Sequence, residues 1–185
     1  MKICIDPGHG GSDPGAGALG IRECDIALII SEKVKSLLEN VGYNVMLTRE
    51  TDVDVFNPYA SLVDELQARC DISDNFEADI IASIHCNAFN GEAKGVETFC
   101  YSGSPKSAQL AKCVQDQIIG LGGLVDRGVK NTPLYMTKHP IATAILIELA
   151  FIDEEKDSAK LNDPVWQDKF AASIARGITD YVAGA

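Results

Sequence analysis

Hydrophobic and polar positions along this chain follow two rhythms that take turns from one end to the other. Residues 2–6, Lys-Ile-Cys-Ile-Asp, form a short apolar run that reads as a buried strand, and Asp6-Pro7-Gly8-His9-Gly10-Gly11-Ser12-Asp13-Pro14-Gly15 after it is loop by its glycine and proline content. From Asp25 the apolar residues 26, 29, 30, 34, 37, 38 and 41 keep helical spacing, with Gly42 where a C-terminal cap belongs. Residues 43–48 read as a second strand. Asn57-Pro58 predicts an N-cap with proline in the first helical position, opening a helix through Leu62, Val63 and Leu66 toward Cys70.

Residues 79–85 are apolar on both faces, as a central strand should be. A further strand is expected over 95–101, then a helix opened by Ser104-Pro105 with Leu110, Val114 and Ile118 in line. A strand near 143–149, a short acidic connection and a last helix launched by Asp163-Pro164 through Phe170, Ile174, Ile178 and Tyr181 complete the order. Such alternation predicts an α/β sheet layered between helices on both faces, in one domain over 1–185, with Ala183-Gly184-Ala185 as the start of a linker.

Composition adds bounds. With 46% hydrophobic and 23% charged residues the chain can bury a full core. Sixteen Lys and Arg against 27 Asp and Glu leave a net charge of −11, which repels nucleic acid and anionic membrane surfaces. No run approaches the roughly 20 apolar residues of a membrane span. Met1 leads straight into the first strand without a basic start or a cleavage site, which predicts synthesis in the cytosol. The six cysteines stand singly in apolar segments and are expected to be buried free thiols, as suits a reducing compartment.

Four residues at element boundaries carry candidate chemistry. His9 lies in the glycine-rich loop at the carboxyl end of the first strand, where open α/β sheets place ligands; a histidine making one loop hydrogen bond is the plainer reading. Glu23 stands just before the first helix, where the helix dipole alone would favour it. His85 closes an Ile- and Ala-rich strand, either as a stiffly held ligand or as a satisfied core histidine. Glu148 interrupts the apolar run Ala144–Phe151. A carboxylate there must be paired, metal-bound or protonated, with Arg49 or Arg127 as candidate ion-pair partners. Two imidazoles and two carboxylates suit a hydrolytic zinc site. His139, before the Glu148 strand, could replace His9 or His85 in the ligand set, or line the cleft.

At this point the segments Ile5–Gly11, Ser83–Ala88, Asp126–Lys130 and Ile145–Glu148, with the strand Gly95–Phe99, resemble in order the motifs of the zinc-dependent N-acetylmuramoyl-L-alanine amidases of the type-3 family. The resemblance implies a single domain with a twisted, mostly parallel six-stranded sheet flanked by helices. It implies one Zn2+ held by His9, Glu23 and His85, with Glu148 as the catalytic glutamate. The implied substrate is peptidoglycan, cut between the lactyl group of N-acetylmuramic acid and L-alanine, by a monomer acting on the wall after lysis, release or secretion. An attached wall-binding domain would compensate for the unfavourable charge.

Two departures stand out. Leu149-Ala150-Phe151-Ile152-Asp153 replaces the family's Gly-Phe and nearby Asn, so the loop beside the glutamate is expected to differ in shape. The stretch from Val53 to Phe76 is longer than in the shortest members yet too short for a helix laid over the site, which predicts an open cleft needing no activator. Two other classes compete. Gly15-Ala16-Gly17-Ala18-Leu19-Gly20 matches a dinucleotide-binding G-x-G-x-x-G, although it starts some ten residues after the strand, and Glu50 or Asp52 comes late for the ribose. A peptidoglycan-binding module with a dead site would lack one of the four candidate residues.

Overall fold

A computed structural model describes residues 1–184. In chain order the elements are β1 (Lys2–Pro7), β2 (Gly17–Ala18), β3 (Ile21–Arg22), α1 (Glu23–Asn40), β4 (Asn44–Leu47), α2 (Leu62–Asn75) and β5 (Ile80–Asn87). Then follow β6 (Val96–Cys100), α3 (Pro105–Ile119), β7 (Asp126–Asn131), α4 (Tyr135–Lys138), β8 (Thr143–Phe151), α5 (Glu155–Leu161) and α6 (Pro164–Ala183). Six strands form one sheet in the order β4-β1-β5-β8-β6-β7. Neighbours are parallel except β6 and β8, so β6 and β7 run against the other four.

Alternation along the strands divides the core in two. Ile3, Ile5, Ile80, Ala82, Ile84, Ile145, Ile147 and Leu149 face α1, α3 and α6, in one cluster with Ile26, Ile30, Leu110, Val114, Phe170 and Ile174. The alternate residues Cys4, Ile81, Ala144 and Leu146 face α2 and α4, against Cys70 and Met136. This second cluster stops partway up the strands. Toward their carboxyl ends the same face carries Asp6, Ser83, His85 and Glu148 instead, and that change of polarity positions the site. The layered α/β expectation, six strands and helices on both faces, describes the observed fold.

Several local expectations are corrected. Asn57 does not cap a helix: its Oδ1 accepts from the Tyr59 amide at 2.9 Å, closing a turn. The helix starts at Leu62, with Ser61 Oγ accepting from Asp64 N. Residues 17–22, which the hydrophobic pattern assigns to no element, form the β2–β3 hairpin. Its turn residues Leu19 and Gly20 both have positive φ, the backbone a tight hairpin requires. The acidic connection after β8 is helix α5, capped by Glu154. Strand β7 escapes pattern reading because an edge strand with every residue at least partly exposed has no buried face to show. Of the expected linker start at 183–185, Ala183 is the last residue of α6 and Gly184 caps it in the left-handed region, and Ala185 lies outside the described residues.

Five of the six cysteines are buried, and Cys113 is half-buried. Among the described residues no helix is long and apolar enough to cross a membrane.

Candidate metal centre

Parallel neighbours β1, β5 and β8 bring their carboxyl ends to one edge. His9 follows β1 in a loop that needs left-handed backbone: His9 itself has φ 58°, and Gly10 and Gly11 continue with φ 125° and 59°. Such a conformation in a non-glycine residue persists only when its surroundings impose it. Here Arg69 Nη2 donates to the His9 carbonyl at 2.7 Å, and Asp13 Oδ2 lies 2.7 Å from His9 Nδ1.

Glu23 is the first residue of α1 rather than the one before it. Its carboxylate turns away from its own helix. Oε2 accepts from Ala16 N at 2.8 Å; Oε1 accepts from Cys86 N at 3.0 Å and lies 3.1 Å from His9 Nε2 and 2.9 Å from His85 Nδ1. Gly15 has to be glycine, since a Cβ there would lie 2.6 Å from Glu23 Oε2 and 2.7 Å from His9 Cδ2.

His85 does not end its strand. β5 continues to Asn87 through an irregularity in register between His85 and Asn87. Its ring packs edge-on to that of His9, centroids 4.9 Å apart. It stands over Gly8, where any Cβ would fall on the imidazole.

The three side chains thus offer ligand atoms all within 4.8 Å of one another. Burial by itself would raise the Glu23 carboxyl and lower the His9 imidazole. Hydrogen bonds and charges reverse both: Glu23 is held far below the carboxylate range, and His9 is pushed up to about 9 by Glu23 and Asp13. A buried carboxylate that draws a proton onto His9 is a place built for positive charge. Two nitrogens and one oxygen, converging and partly exposed, fit a zinc ion with an open position.

Glu148 sits beside this trio, directly across from His85 in the β5–β8 register. Its Oε2 is buried without a hydrogen-bond partner. Burial pushes this carboxyl up to about 7, with the charges of Glu23 and Glu97 adding to the rise and His85 and His9 opposing it. Neither suggested arginine partners it. Arg49 spends its guanidinium on the carbonyls of Pro7, Thr51, Gly8 and Cys24, and Arg127 reaches Glu97. His139 is elsewhere: it caps α4 and stacks on Tyr135, centroids 4.0 Å apart. The G-x-G-x-x-G run is taken apart, with Gly15 beneath His9 and Glu23, Gly17 in β2 and Gly20 in the hairpin turn. The other acid-and-thiol group, Cys24, Asp25 and Asp52, is occupied by Arg22, at 2.6 Å from Asp25 and 3.2 Å from Asp52.

The supporting residues escaped the sequence reading. Asp6, buried on the site face of β1, accepts from Thr48 and Ser83 hydroxyls, both at 2.5 Å, and pairs with Arg69 at 2.9 Å. The available signal was the one that marked Glu148: an acid closing an apolar strand. Arg69, 63 positions away, gave none.

A family model described as N-acetylmuramoyl-L-alanine amidase matches residues 3–180. The chain belongs to that family. Among its relatives, an uncharacterized cell wall amidase of Bacillus anthracis is 33% identical over 97% of this chain, which spans only 35% of that protein. The germination-specific N-acetylmuramoyl-L-alanine amidase of Bacillus subtilis is 30% identical over 97% of this chain and 78% of its own length. Among solved structures, the CwlD amidase from Clostridioides difficile, in complex with the GerS lipoprotein, is 32% identical, with a TM-score of 0.91 over 100% of this chain and 99% of that one. Family membership accounts for the sheet order as well as for the motifs.

Proposed function

We propose that this chain is a zinc-dependent N-acetylmuramoyl-L-alanine amidase that hydrolyses the amide between the lactyl group of N-acetylmuramic acid and the L-alanine of the peptidoglycan stem. The observation that carries the reading is the convergence of His9, Glu23 and His85 beside a buried, partnerless carboxylate oxygen of Glu148. A dead binding module would have no reason to retain all four.

In this reading His9, Glu23 and His85 hold the metal. When bound, zinc supplies Lewis acidity toward water and toward the amide carbonyl. Arg69 and Asp13 fix the His9 loop, and Ala16 N and Cys86 N fix the Glu23 carboxylate, so the ligand set is ordered before substrate arrives. Glu148 takes the proton from the attacking water as the new C–O bond forms and delivers it to the nitrogen as the C–N bond breaks, leaving a lactyl carboxylate and a free amine on L-alanine. A carboxyl poised near neutrality can serve in both directions.

Net charge of −11 works against long-range attraction to a polyanionic wall, so affinity comes from local contacts or an attached binding module. We read the enzyme as a monomer that lyses or remodels the wall, with a cleft that needs no activator.

The decisive experiment incubates the protein with peptidoglycan with and without a strong chelator and identifies the fragments by mass spectrometry. Peptides beginning with free L-alanine, abolished by chelator and restored by zinc, are expected. Glu148→Gln should keep zinc while losing about 10²–10⁴-fold in turnover, and His9→Ala should lose the metal. Intact wall with a zinc-loaded protein would overturn the reading.

A further inference from the structure

The site is not confined to the zinc trio and Glu148. Glu97 lies directly opposite Glu148 in the antiparallel β6–β8 register, so His85, Glu148 and Glu97 form one row across three strands, and Gly128 of β7 extends it. Glu97 is buried and fully engaged. Asn87 Nδ2 donates to its Oε1 at 2.7 Å, Arg127 Nε donates to its Oε2 at 3.1 Å, and Lys130 Nζ stands 3.9 Å away.

Arg127 is held in a second way, its guanidinium 4.9 Å above the Phe151 ring at the carboxyl end of β8. It therefore leans from the edge strand back over the site. Its Nε is spent on Glu97, but its two terminal nitrogens make no hydrogen bond among the described residues, and the side chain is 36% exposed. Lys130 Nζ also donates to the Arg127 carbonyl at 2.6 Å, so both cations are oriented at the Glu97 end of the row while the terminal Arg127 nitrogens are left for a further acceptor. The opposite wall is different: Asp13, Asp54, Glu65 and Leu62 line a cavity of about 230 Å³ there.

We propose that Arg127, with Lys130 beside it, is an anion subsite that grips a carboxylate on the peptide side of the scissile amide, the α-carboxylate of a γ-linked glutamate following L-alanine. This rests on the amidase reading above and adds to it a direction and a specificity. The peptide lies over β6–β7, and the glycan lies toward the acidic wall near α2.

Dimensions agree. Adjacent strands are about 4.8 Å apart, so a guanidinium reaching back from β7 to Glu97 stands about one strand spacing beyond Glu148. A carboxylate on the next residue lies about 6 Å from the scissile nitrogen, within the reach of two residues. Arginine rather than lysine suits the task, since its planar fork can hold Glu97 with one edge and a second carboxylate with the other.

The test uses the zinc-loaded protein and two muramoyl dipeptides that differ only in carrying a free carboxylate or a carboxamide on the second residue. The expected kcat/KM ratio, acid over amide, is about ten to a hundred, the range of one charge-assisted hydrogen-bonded pair. Arg127→Gln should bring the ratio close to one, chiefly through KM, and Lys130→Gln should lower it partway. A ratio near one in the wild type, or one unchanged in Arg127→Gln, overturns the subsite.

Calorimetric titration of the two released dipeptides into wild-type protein and the exposed-site variant Lys130→Gln gives a readout that needs neither turnover nor a folded Arg127 variant. Tighter wild-type binding of the acid form, weakened in Lys130→Gln, supports the subsite; equal affinities refute it. Should neither substrate be cut while the acid peptide still binds preferentially, the amidase reading fails and the anion subsite stands.

Discussion

The two faces of the central sheet are made by alternate residues of the same strands, yet they are built to different rules. Toward α1, α3 and α6 the strands present isoleucine and leucine from end to end, and the helices bury Phe170, Ile174, Leu110 and Val114 against them. Toward α2 and α4 the apolar cluster is small, and above it stand Asp6, Ser83, His85, Glu148 and Glu97. The first face is held by area removed from water. The second is held by directed polar bonds, which tolerate no substitution of kind but leave a cleft where packing would have filled it. The fold's stability thus resides mostly on one side and its chemistry on the other, coupled through the strands they share.

The sharpest way to break this division is Arg69→Ala. It strands the Asp6 carboxylate in a buried place and frees the His9 carbonyl at once. Removing one partner of a buried pair costs about 3–5 kcal/mol, so denaturant unfolding should show that loss, and zinc affinity should fall with it. Phe170→Ala on the other face should cost a similar 3–5 kcal/mol through the cavity it leaves, but zinc stoichiometry of the folded fraction should be unchanged. If Phe170→Ala weakens zinc as much as Arg69→Ala does, the two faces are not separable in the way described.

Smaller substitutions sharpen the contrast. α3 and α6 meet so closely that a Cβ on Gly177 would lie 2.5 Å from Val114 Cα, a backbone atom that cannot swing aside. Gly177→Ala should therefore cost about 1–3 kcal/mol by overpacking, despite alanine's better helix propensity, with the metal site intact. Gly8→Ala on the polar face is the counterpart. Its Cβ would lie 2.3–2.6 Å from three atoms of the His85 ring, so the imidazole has to shift off Glu23 and zinc affinity should drop about 10–100-fold, as for other changes that misorient a ligand. Competition with a chromogenic chelator reads the second effect; an unaltered zinc Kd would mean that His85 is not a ligand.

What was legible in the sequence follows the same line. The helix-packed face announced itself in α1, α3 and α6 through periodicity, because burial on one face writes a repeat into a helix, whereas β1, β5 and β8 were readable as short apolar runs buried on both faces. His9, Glu23, His85 and Glu148 stood out as polar residues at element boundaries or inside apolar runs, and the structure brings those four together. The bonds that hold them were not legible. Asp6 with Arg69 and Arg49 with the Pro7 carbonyl join residues 63 and 42 positions apart, and a polar pair across that distance leaves no repeat. β7 was missed for want of a buried face, and Asn57-Pro58 was misread because an Asx turn and a helix cap use the same residue types.

The smallest expected effect concerns acid. Burial would raise the Asp6 carboxyl, but the Arg69 charge and the hydroxyls of Ser83 and Thr48 outweigh it, so the folded pKa lies below the ordinary carboxylate value. A group whose pKa is lowered by folding stabilises the folded state fully above its unfolded value, about 3.9 for aspartate, and that contribution is lost as pH falls toward the folded pKa. Stability should be flat with respect to this group down to about pH 5 and should then decline below about pH 4. Asp6→Asn cannot titrate. It should start from a lower stability at pH 7, having lost the ion pair, but show a shallower acid decline when unfolding is followed by circular dichroism from pH 7 to pH 2. Parallel acid declines in the two proteins would show that Asp6 keeps an ordinary pKa, and that the polar face owes its acid sensitivity to some other carboxylate.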